Sequence, residues 1–170
     1  GEKGIYCDPQ EDITGMNWRE EDTRKFGREV ADLIADYRAS LETIPITPST
    51  PGAIGGLFGG QLPEEGTDPF TLLAEVKEKV LPNSFHLTAP AYFGLFNPTP
   101  TVISIFADAI ASALNQNMAA WSHGPAGSEI EKTVIRWLCD MAGFDSASFG
   151  TLTNGGSLAN YTAMKMALNE

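Results

Sequence analysis

Apolar residues recur every three or four positions from Glu20 onward, which predicts a long amphipathic first helix. Asn17 is expected to cap this helix, with Glu20 three residues further on, as in a capping box. The apolar positions are Phe26, Val30, Leu33, Ile34, Tyr37, Leu41 and Ile44. Because the opposite face is charged, the helix must pack against another element through this one face.

The next segment, Pro45–Gly66, carries four prolines and two glycine pairs, a composition that rules out regular structure over most of its length. Asp68 and Pro69 then predict the start of a second helix, with Asp68 as N-cap and Pro69 at the first helical position. This helix is expected to run to about Val80. The first part of the chain is therefore interpreted as helices joined by an extended arm, with too little apolar surface for a core of its own.

The pattern changes from Asn83. The segment 86–100 is rich in aromatic residues and prolines, which is typical of irregular chain that lines a surface. A third helix is predicted over 101–117, and its expected inner positions are Ile105, Ile110 and Leu114. A fourth helix is expected to end near Ala142, with Gly143 as C-cap. Its predicted buried stripe consists of Ile130, Val134, Trp137, Leu138 and Met141.

The last segment predicts a strand over 148–153, a glycine turn, and a fifth helix over 156–170. Gly155, Gly156 and Ser157 at the helix start present backbone N–H groups that the helix cannot satisfy, which is a cradle for phosphate. The same residues are also ordinary turn and N-cap residues. Because a strand, turn and helix form only half of a βαβ unit, we expect the chain to be the N-terminal part of a larger α/β protein, either truncated or one product of a split chain.

Composition narrows the class of protein. The chain has 170 residues, 42% of them hydrophobic, and a formal net charge of -11, which disfavours nucleic acid and anionic membranes as partners. No segment approaches the roughly eighteen apolar residues of a membrane span, and no signal-peptide pattern is recognised. Cys7 and Cys139 form neither a disulfide framework nor a metal motif, so a cytoplasmic location and no metal site are expected.

Few residues are candidates for catalysis or ligand binding when each is considered alone. His86 and His123 have no partners close in sequence and are interpreted as surface or hydrogen-bonded histidines. Ser122 and Ser157 lack a partnered base, so a hydrolase is not supported. Three carboxylates that could pair in space as acid–base groups are interpreted as caps or solvated charges: Asp108, Glu129 and Glu131.

Several motifs taken together, in order, resemble the group II pyridoxal-phosphate-dependent amino acid decarboxylases, over about residues 17–170. That family includes aromatic L-amino acid, glutamate, histidine and diaminobutyrate decarboxylases. The motifs are His86-Leu-Thr-Ala-Pro-Ala-Tyr92-Phe93-Gly94, Ala113-Leu-Asn115-Gln116-Asn117, Trp121, Gly124-Pro125-Ala126-Gly-Ser128-Glu129-Ile-Glu131, Trp137-Leu138 and Thr153-Asn-Gly155-Gly156-Ser157-Leu-Ala159-Asn160.

The resemblance implies an α/β protein of the PLP-dependent transferase-like class (aspartate aminotransferase, fold type I), of which this fragment is the mostly helical N-terminal part. It implies pyridoxal 5'-phosphate as cofactor, with its phosphate bound by Gly155, Gly156 and Ser157. Residues 1–82 would be a helical clasp around the partner of a homodimer, and residues 83–170 the incomplete start of the large PLP-binding domain.

The resemblance also implies which residues lie near the substrate. Phe96, Asn97 and Pro98 match the segment that walls the substrate pocket. Asn117, Met118 and Ala119 match a loop that reaches into the partner subunit's active site. Family members with a bulky aromatic residue at the position of Ala119 place it against an aromatic substrate, and the small residue here weakens an aromatic assignment. The pattern Asn115-x-Asn117-Met118 is similar to glutamate-type and diaminobutyrate-type enzymes, although their glutamine is not reproduced at 94–95, so the substrate stays open.

The implied function is decarboxylation of an L-amino acid to the amine and CO2. The Schiff-base lysine is expected beyond residue 170, in the C-terminal part of the same or a separate chain. Lys165, on the helix that leaves the phosphate turn, is interpreted as solvated, so this chain alone is not expected to catalyse. The alternatives are an aldehyde-forming decarboxylase, a carbon–carbon lyase of the same fold, and a non-catalytic regulatory or binding subunit.

Overall fold

The computed structural model describes residues 18–46, 51–60 and 64–168, and in this part of the chain the regular elements are helices. The α-helices are α1 (Glu20–Ser40), α2 (Pro51–Ile54), α3 (Pro69–Glu75), α4 (Val102–Leu114), α5 (Pro125–Ala142) and α6 (Gly156–Ala167). A π-helical turn, Val76–Val80, and a 3-10 turn, Leu81–Asn83, extend α3, and a second 3-10 turn, Trp121–His123, precedes α5. The chain divides into two units, residues 1–99 and 100–170. The predicted organisation into residues 1–82 and 83–170 stays a prediction.

In the first unit, aromatic contacts join α1 to the elements that follow it. Phe26 of α1 packs edge-on against Phe70 of α3, with ring centroids 5.5 Å apart, and against Trp18, at 5.1 Å. The Lys25 ammonium group lies 4.7 Å from the centroid of the Phe70 ring. The apolar face predicted for α1 is half-buried or buried along its whole length. The prediction that α1 packs through one face is therefore confirmed.

The start of α1 differs from the prediction. Asn17, the predicted N-cap, lies outside the described residues, and Arg19 occupies the N-cap position without a side-chain cap. Glu20 is consequently the first residue of the helix, and the capping-box prediction is wrong. Arg19 instead donates from Nε to Asp22 Oδ2 over 2.6 Å, and this hydrogen bond, together with the guanidinium charge, lowers the pKa of Asp22. Acidic side chains in the first turn suit the positive end of the helix dipole, as expected.

The caps of the later helices follow the sequence closely. The Asp68 carboxylate accepts a hydrogen bond from the Thr71 N–H over 2.8 Å, which confirms the predicted N-cap of α3. Thr101 caps α4 through its hydroxyl, 3.2 Å from the Ser104 nitrogen. Gly143 ends α5 in the left-handed conformation, with φ of 77°, as predicted. The irregular character of 86–100 is confirmed, whereas the described part of the arm includes a short helix, α2.

Two expectations for the second unit are wrong. Residues 148–153 form no strand, and no strand occurs within the described ranges. A strand needs a neighbouring strand for its N–H and C=O groups, and this unit provides none. The predicted buried stripe of α5 is mostly exposed: Trp137 is 59% exposed and Met141 77%, and on α4 Ile110 is 62% exposed. These side chains have the periodicity of core positions but no layer within the unit to cover them.

None of the helices in the described part of the chain combines the length and the apolar character needed to cross a bilayer. Within residues 18–46, 51–60 and 64–168, no cluster of three His, Cys, Asp or Glu side chains is arranged to hold a metal ion.

Candidate functional site

The glycine turn before α6 holds the backbone in a conformation open to glycine alone. Gly155 has φ of 88° and ψ of 163°, a combination that L-residues with a side chain hardly populate. Its N–H donates to the Thr153 carbonyl over 3.0 Å, and its own carbonyl accepts from the Ala159 N–H over 3.2 Å. These two hydrogen bonds fix the direction in which the chain enters α6 at Gly156.

The first turn of α6 offers free hydrogen-bond donors. The N–H groups of Gly156, Ser157 and Leu158 donate to no other group in the described part of the chain. A Cβ placed on Gly156 would meet no atom within 4 Å, and the Ser157 hydroxyl is exposed and unpaired among the described residues. Unpaired N–H groups, a hydroxyl and the helix dipole are a donor set that suits an oxyanion such as phosphate. The residues present therefore fit a phosphate group at this turn.

The predicted substrate wall, Phe96–Pro98, lies in an exposed loop of the first unit. The loop is built around the Tyr92 ring, which packs edge-on against Phe85 with centroids 5.3 Å apart. The Tyr92 hydroxyl accepts a hydrogen bond from the Leu95 N–H over 2.9 Å, so the chain turns tightly over the ring. Gly94 lies against that ring, and any Cβ at this position would collide with it. Phe96 itself points away from the described residues and is fully exposed.

Asn117, Met118 and Ala119, the predicted cross-subunit loop, lie between α4 and α5 in the second unit. Asn117 accepts a hydrogen bond on Oδ1 from the Ala119 N–H over 2.9 Å, which closes a small turn at the tip. The loop leaves α4 through Asn115, whose φ of 43° places it in the left-handed region. Asn tolerates this conformation better than most residues do.

Trp121 and Glu129 form a hydrogen bond that sequence reasoning did not identify. Trp121 Nε1 donates to Glu129 Oε1 over 2.8 Å, and Lys132 Nζ donates to the same oxygen over 2.8 Å. The hydrogen bond from Lys132, then that from Trp121, and the lysine charge lower the pKa of Glu129. Glu129 is therefore an ionised hydrogen-bond acceptor. Its interpretation as a cap or a solvated charge missed these two hydrogen bonds.

His86 is the most buried side chain in the described ranges, with 1% of its surface exposed. Its Nδ1 lies 3.2 Å from the Tyr37 hydroxyl, which confirms its interpretation as a hydrogen-bonded histidine. Burial lowers the pKa of His86, so its ring is neutral near pH 7. His123 is exposed in the 3-10 turn before α5, and Lys165 is exposed in the last turn of α6.

The candidate residues thus fall into separate groups. Phe96–Pro98 belong to the first unit, and the loop around Met118 and the turn at Gly155–Ser157 belong to the second. Each group has a defined local geometry. Their assignment to cofactor, substrate and partner subunit stays a prediction from the motifs.

Comparison with known proteins identifies the family. Residues 51–169 match the model of the pyridoxal-dependent decarboxylase conserved domain. Aromatic-L-amino-acid decarboxylase from Bacillus atrophaeus is 34% identical over 149 residues, covering 86% of this chain and 31% of the relative. 4-Hydroxyphenylacetaldehyde synthase from Rhodiola rosea is 28% identical, covering 89% of this chain and 31% of the relative. The chain therefore spans about a third of the length of these curated relatives.

A solved structure agrees with the sequence matches. The crystal structure of Oryza sativa TDC with PLP and tryptamine superposes with a TM-score of 0.72 at 26% identity, covering 83% of this chain and 30% of the other. This likeness confirms the expected fold type and explains the helical content, since the matched part is only a portion of the whole fold. The chain therefore belongs to the pyridoxal-dependent decarboxylase family, as its motifs predict.

Proposed function

We propose that the complete protein binds pyridoxal 5'-phosphate and decarboxylates an L-amino acid to the corresponding amine and CO2. The observation that carries the proposal is the first turn of α6, where unpaired N–H groups of Gly156 and Ser157 face open space in a chain of this family. The motifs and the glycine geometry agree on the same three residues, Gly155–Ser157.

The cofactor, when bound, supplies an electron sink for the electron pair that the departing carboxylate leaves behind. The residues of this chain bind and orient it. The N–H groups of Gly156 and Ser157 and the Ser157 hydroxyl would hold the phosphate, and the dipole of α6 adds favourable electrostatics. Gly155 lets the backbone reach this arrangement, because residues with a side chain hardly populate its combination of φ 88° and ψ 163°.

Substrate contacts would come from two loops. The exposed Phe96–Pro98 segment would form one wall of the pocket, and Asn117–Ala119 would reach the active site of the partner in a homodimer. The helical first unit would clasp that partner. The large exposed apolar side chains of α5, among them Trp137 and Met141, support a larger assembly in which further protein covers them.

An aldehyde-forming reaction is the second candidate. A relative of which the same share, 31%, is covered is named 4-hydroxyphenylacetaldehyde synthase, so the family match alone does not separate the two outcomes. Both reactions release CO2, but the second is also a two-electron oxidation, which consumes O2 and water and yields an aldehyde, ammonia and hydrogen peroxide in place of the amine.

The first test concerns the cofactor. In the full-length protein, Ser157→Ala combined with Gly156→Leu should abolish retention of pyridoxal phosphate after dialysis, measured by the absorbance of the bound cofactor. Gly27→Leu is the matched control, because Gly27 lies on α1 with no atom within 4 Å of its Cβ position. Undiminished cofactor absorbance in the double variant would reject the phosphate site.

The second test concerns the reaction. The holoenzyme is incubated with a panel of aromatic, acidic and basic L-amino acids, and CO2, amine, aldehyde, ammonia and hydrogen peroxide are quantified. Equimolar amine and CO2 support the proposed decarboxylase. In aerated buffer, equimolar aldehyde, ammonia, hydrogen peroxide and CO2 establish the alternative, and absence of CO2 from every substrate rejects both.

A further inference from the structure

The loop between α4 and α5, residues 115–124, has a shape that is fixed within its own unit. We call it the α4–α5 loop. It begins at Asn115, whose N–H donates to the Ala111 carbonyl over 3.0 Å, and it ends at Gly124, whose carbonyl accepts from the Ser128 N–H over 2.9 Å. Between these ends, three side chains bind the loop either to itself or to α5.

The first of these side chains is Met118, which lies in a notch made by two glycines at the start of α5. A Cβ on Gly127 would lie 2.7 Å from Met118 Sδ and 2.9 Å from its Cε, and a Cβ on Gly124 would lie 2.8 Å from Sδ. The two glycines are three residues apart, so they line one side of the first helical turn. The thioether therefore occupies space that exists only because both positions lack a side chain.

The second is Trp121, which is bound to α5 by the hydrogen bond from its indole N–H to Glu129 Oε1, at 2.8 Å. Lys132 donates to the same oxygen, which keeps the carboxylate ionised and holds it in place. Glu129 lies two residues after Gly127 on α5. The loop is thus attached to this helix at two points, Met118 and Trp121.

The third side chain, Asn117, acts inside the loop. Its carboxamide oxygen accepts from the Ala119 N–H over 2.9 Å, so the tip between the two attachment points is itself a closed turn. Asn117 and Ala119 are exposed at that tip. The tip is therefore an exposed turn that is closed by its own hydrogen bond.

We infer that Met118, Trp121 and Glu129 are positioning residues that anchor the α4–α5 loop to α5. The loop tip therefore has its binding conformation before it meets the amino acid substrate in the partner subunit's active site. This inference rests on the proposed function, which places the tip at that site. A loop that is ordered beforehand spends no binding energy on ordering when the substrate arrives. Loss of an anchor should therefore weaken substrate binding more than it alters the cofactor.

The glycine notch permits a sharp test in the full-length holoenzyme. Gly127→Ala should displace the Met118 side chain at small cost to the fold, because only the flexible end of that side chain must move. We expect KM for the best amino acid substrate to rise about tenfold, as for small displacements of positioning groups, with cofactor content unchanged. Met118→Ala should raise KM as well, and the double variant should be no worse than Met118→Ala alone, because the new methyl group then occupies vacated space.

Glu129 provides a second arm. Glu129→Ala should raise KM to a similar extent, whereas Glu129→Gln, which retains an oxygen acceptor for Trp121, should remain within about twofold of the wild type. Asp140→Ala is the matched control on the same helix, since the Asp140 carboxylate makes no hydrogen bond or ion pair within the described residues. Additive effects of the two notch substitutions, or an unchanged KM in Glu129→Ala, would overturn the inference.

A readout independent of turnover completes the test. With 5-fluorotryptophan incorporated, the fluorine resonance of Trp121, assigned with Trp121→Phe, should shift or broaden in Glu129→Ala and Gly127→Ala but not in Glu129→Gln or Asp140→Ala. An unmoved resonance in Glu129→Ala would refute the anchor itself. A shifted resonance together with an unchanged KM would establish the anchor and refute its role at the substrate. If the wild-type holoenzyme releases no CO2, the proposed function is rejected, and the role of the loop at the substrate is rejected with it. The anchoring of the loop to α5 is judged separately, by the fluorine resonance.

Discussion

The Tyr37 hydroxyl lies 3.2 Å from His86 Nδ1 and joins two positions that are 49 residues apart in the chain. Tyr37 belongs to α1, whereas His86 begins the irregular segment that leads to the Phe96–Pro98 loop. The backbone supports the same connection, since the His86 N–H donates to the Ile46 carbonyl over 3.4 Å. Nε2 of the ring is buried and unpaired within the described ranges. The Tyr37–His86 pair therefore joins α1 to the start of the irregular segment 86–100.

Tyr37→Phe should destabilise the protein by about 1–3 kcal/mol, because it leaves the buried Nδ1 without a partner. Urea unfolding of the full-length protein measures the change. Tyr161→Phe is the control, since the Tyr161 hydroxyl on α6 is exposed and unbonded in the described part of the chain. Equal unfolding midpoints for the two variants would contradict a stabilising role for the Tyr37–His86 hydrogen bond.

His86 should also make stability depend on pH. Burial lowers its folded-state pKa below the ordinary value of 6.5, so the unfolded chain binds a proton more readily than the folded one. Stability should therefore be full above about pH 6.5 and fall as the pH drops below it, by at most about 1.4 kcal/mol per pH unit.

The measurement is urea unfolding between pH 5 and 8, with His86→Gln and His123→Gln as a pair. The His86 variant should flatten this part of the profile, whereas the variant of the exposed His123 should not. A slope that persists in His86→Gln would assign the pH dependence to other groups.

The two glycines with positive φ should respond differently to asparagine. Gly143, with φ of 77° and ψ of 21°, is in the left-handed helical region, which Asn tolerates, so Gly143→Asn should cost well under the roughly 1–2 kcal/mol expected of Gly143→Ala. Gly155, with ψ of 163°, lies outside that region, so Gly155→Asn and Gly155→Ala should both cost about 1–3 kcal/mol. Thermal unfolding of the cofactor-free protein compares the four variants. A clear rescue by asparagine at Gly155 would show that the turn is not held as described.

Gly94→Ala should displace the Tyr92 ring and remove the hydrogen bond from the Leu95 N–H. We expect a loss of about 1 kcal/mol for that bond, with a rise in KM if the loop forms the substrate wall. Tyr92→Phe removes the bond and keeps the ring, so comparison of the two variants separates bond from packing. Gly60→Ala is a suitable control, since a Cβ there meets no atom within 4 Å. A Gly94→Ala variant with wild-type stability would rule out the close packing of Gly94 on Tyr92.

Glu129 should make the α4–α5 loop sensitive to acid. Its folded-state pKa lies below the ordinary 4.5, because Lys132 and Trp121 donate to the carboxylate. The contribution of these hydrogen bonds is complete above pH 4.5 and is lost as the pH falls through the lowered pKa. The fluorine resonance of Trp121 should follow this titration in the wild type and stay constant in Glu129→Gln. An acid transition that survives in Glu129→Gln would exclude Glu129 as its cause.

Local features of the fold could be predicted from the sequence, because their causes lie within a few residues. Asp68 caps α3, and Gly143 ends α5, where the sequence places them. The strand predicted over 148–153 is wrong, because a local pattern cannot supply the neighbouring strand that its backbone groups need. The same reason explains why Trp137 and Met141 have core periodicity yet are exposed.

The candidate site shows the same contrast between features with local causes and features that depend on distant residues. The open turn at Gly155–Ser157 could be predicted because the three residues are adjacent, whereas their role in binding phosphate stays a prediction. The Tyr37–His86 pair could not, because nothing in either local sequence specifies a partner 49 residues away. The Trp121–Glu129 bond lies between these cases: the two residues are eight apart, but their contact depends on a loop whose path is set by the glycine notch.

The notch that holds Met118 also constrains how the sequence can diverge. A side chain gained at position 127 is compatible with the loop only if position 118 becomes smaller, so the two positions should change together in evolution. Lineages that alter substrate preference by reshaping the loop tip should keep glycine at 127 and vary position 119 instead. Paired exchange at 118 and 127 would mark descendants whose loop has moved as a whole.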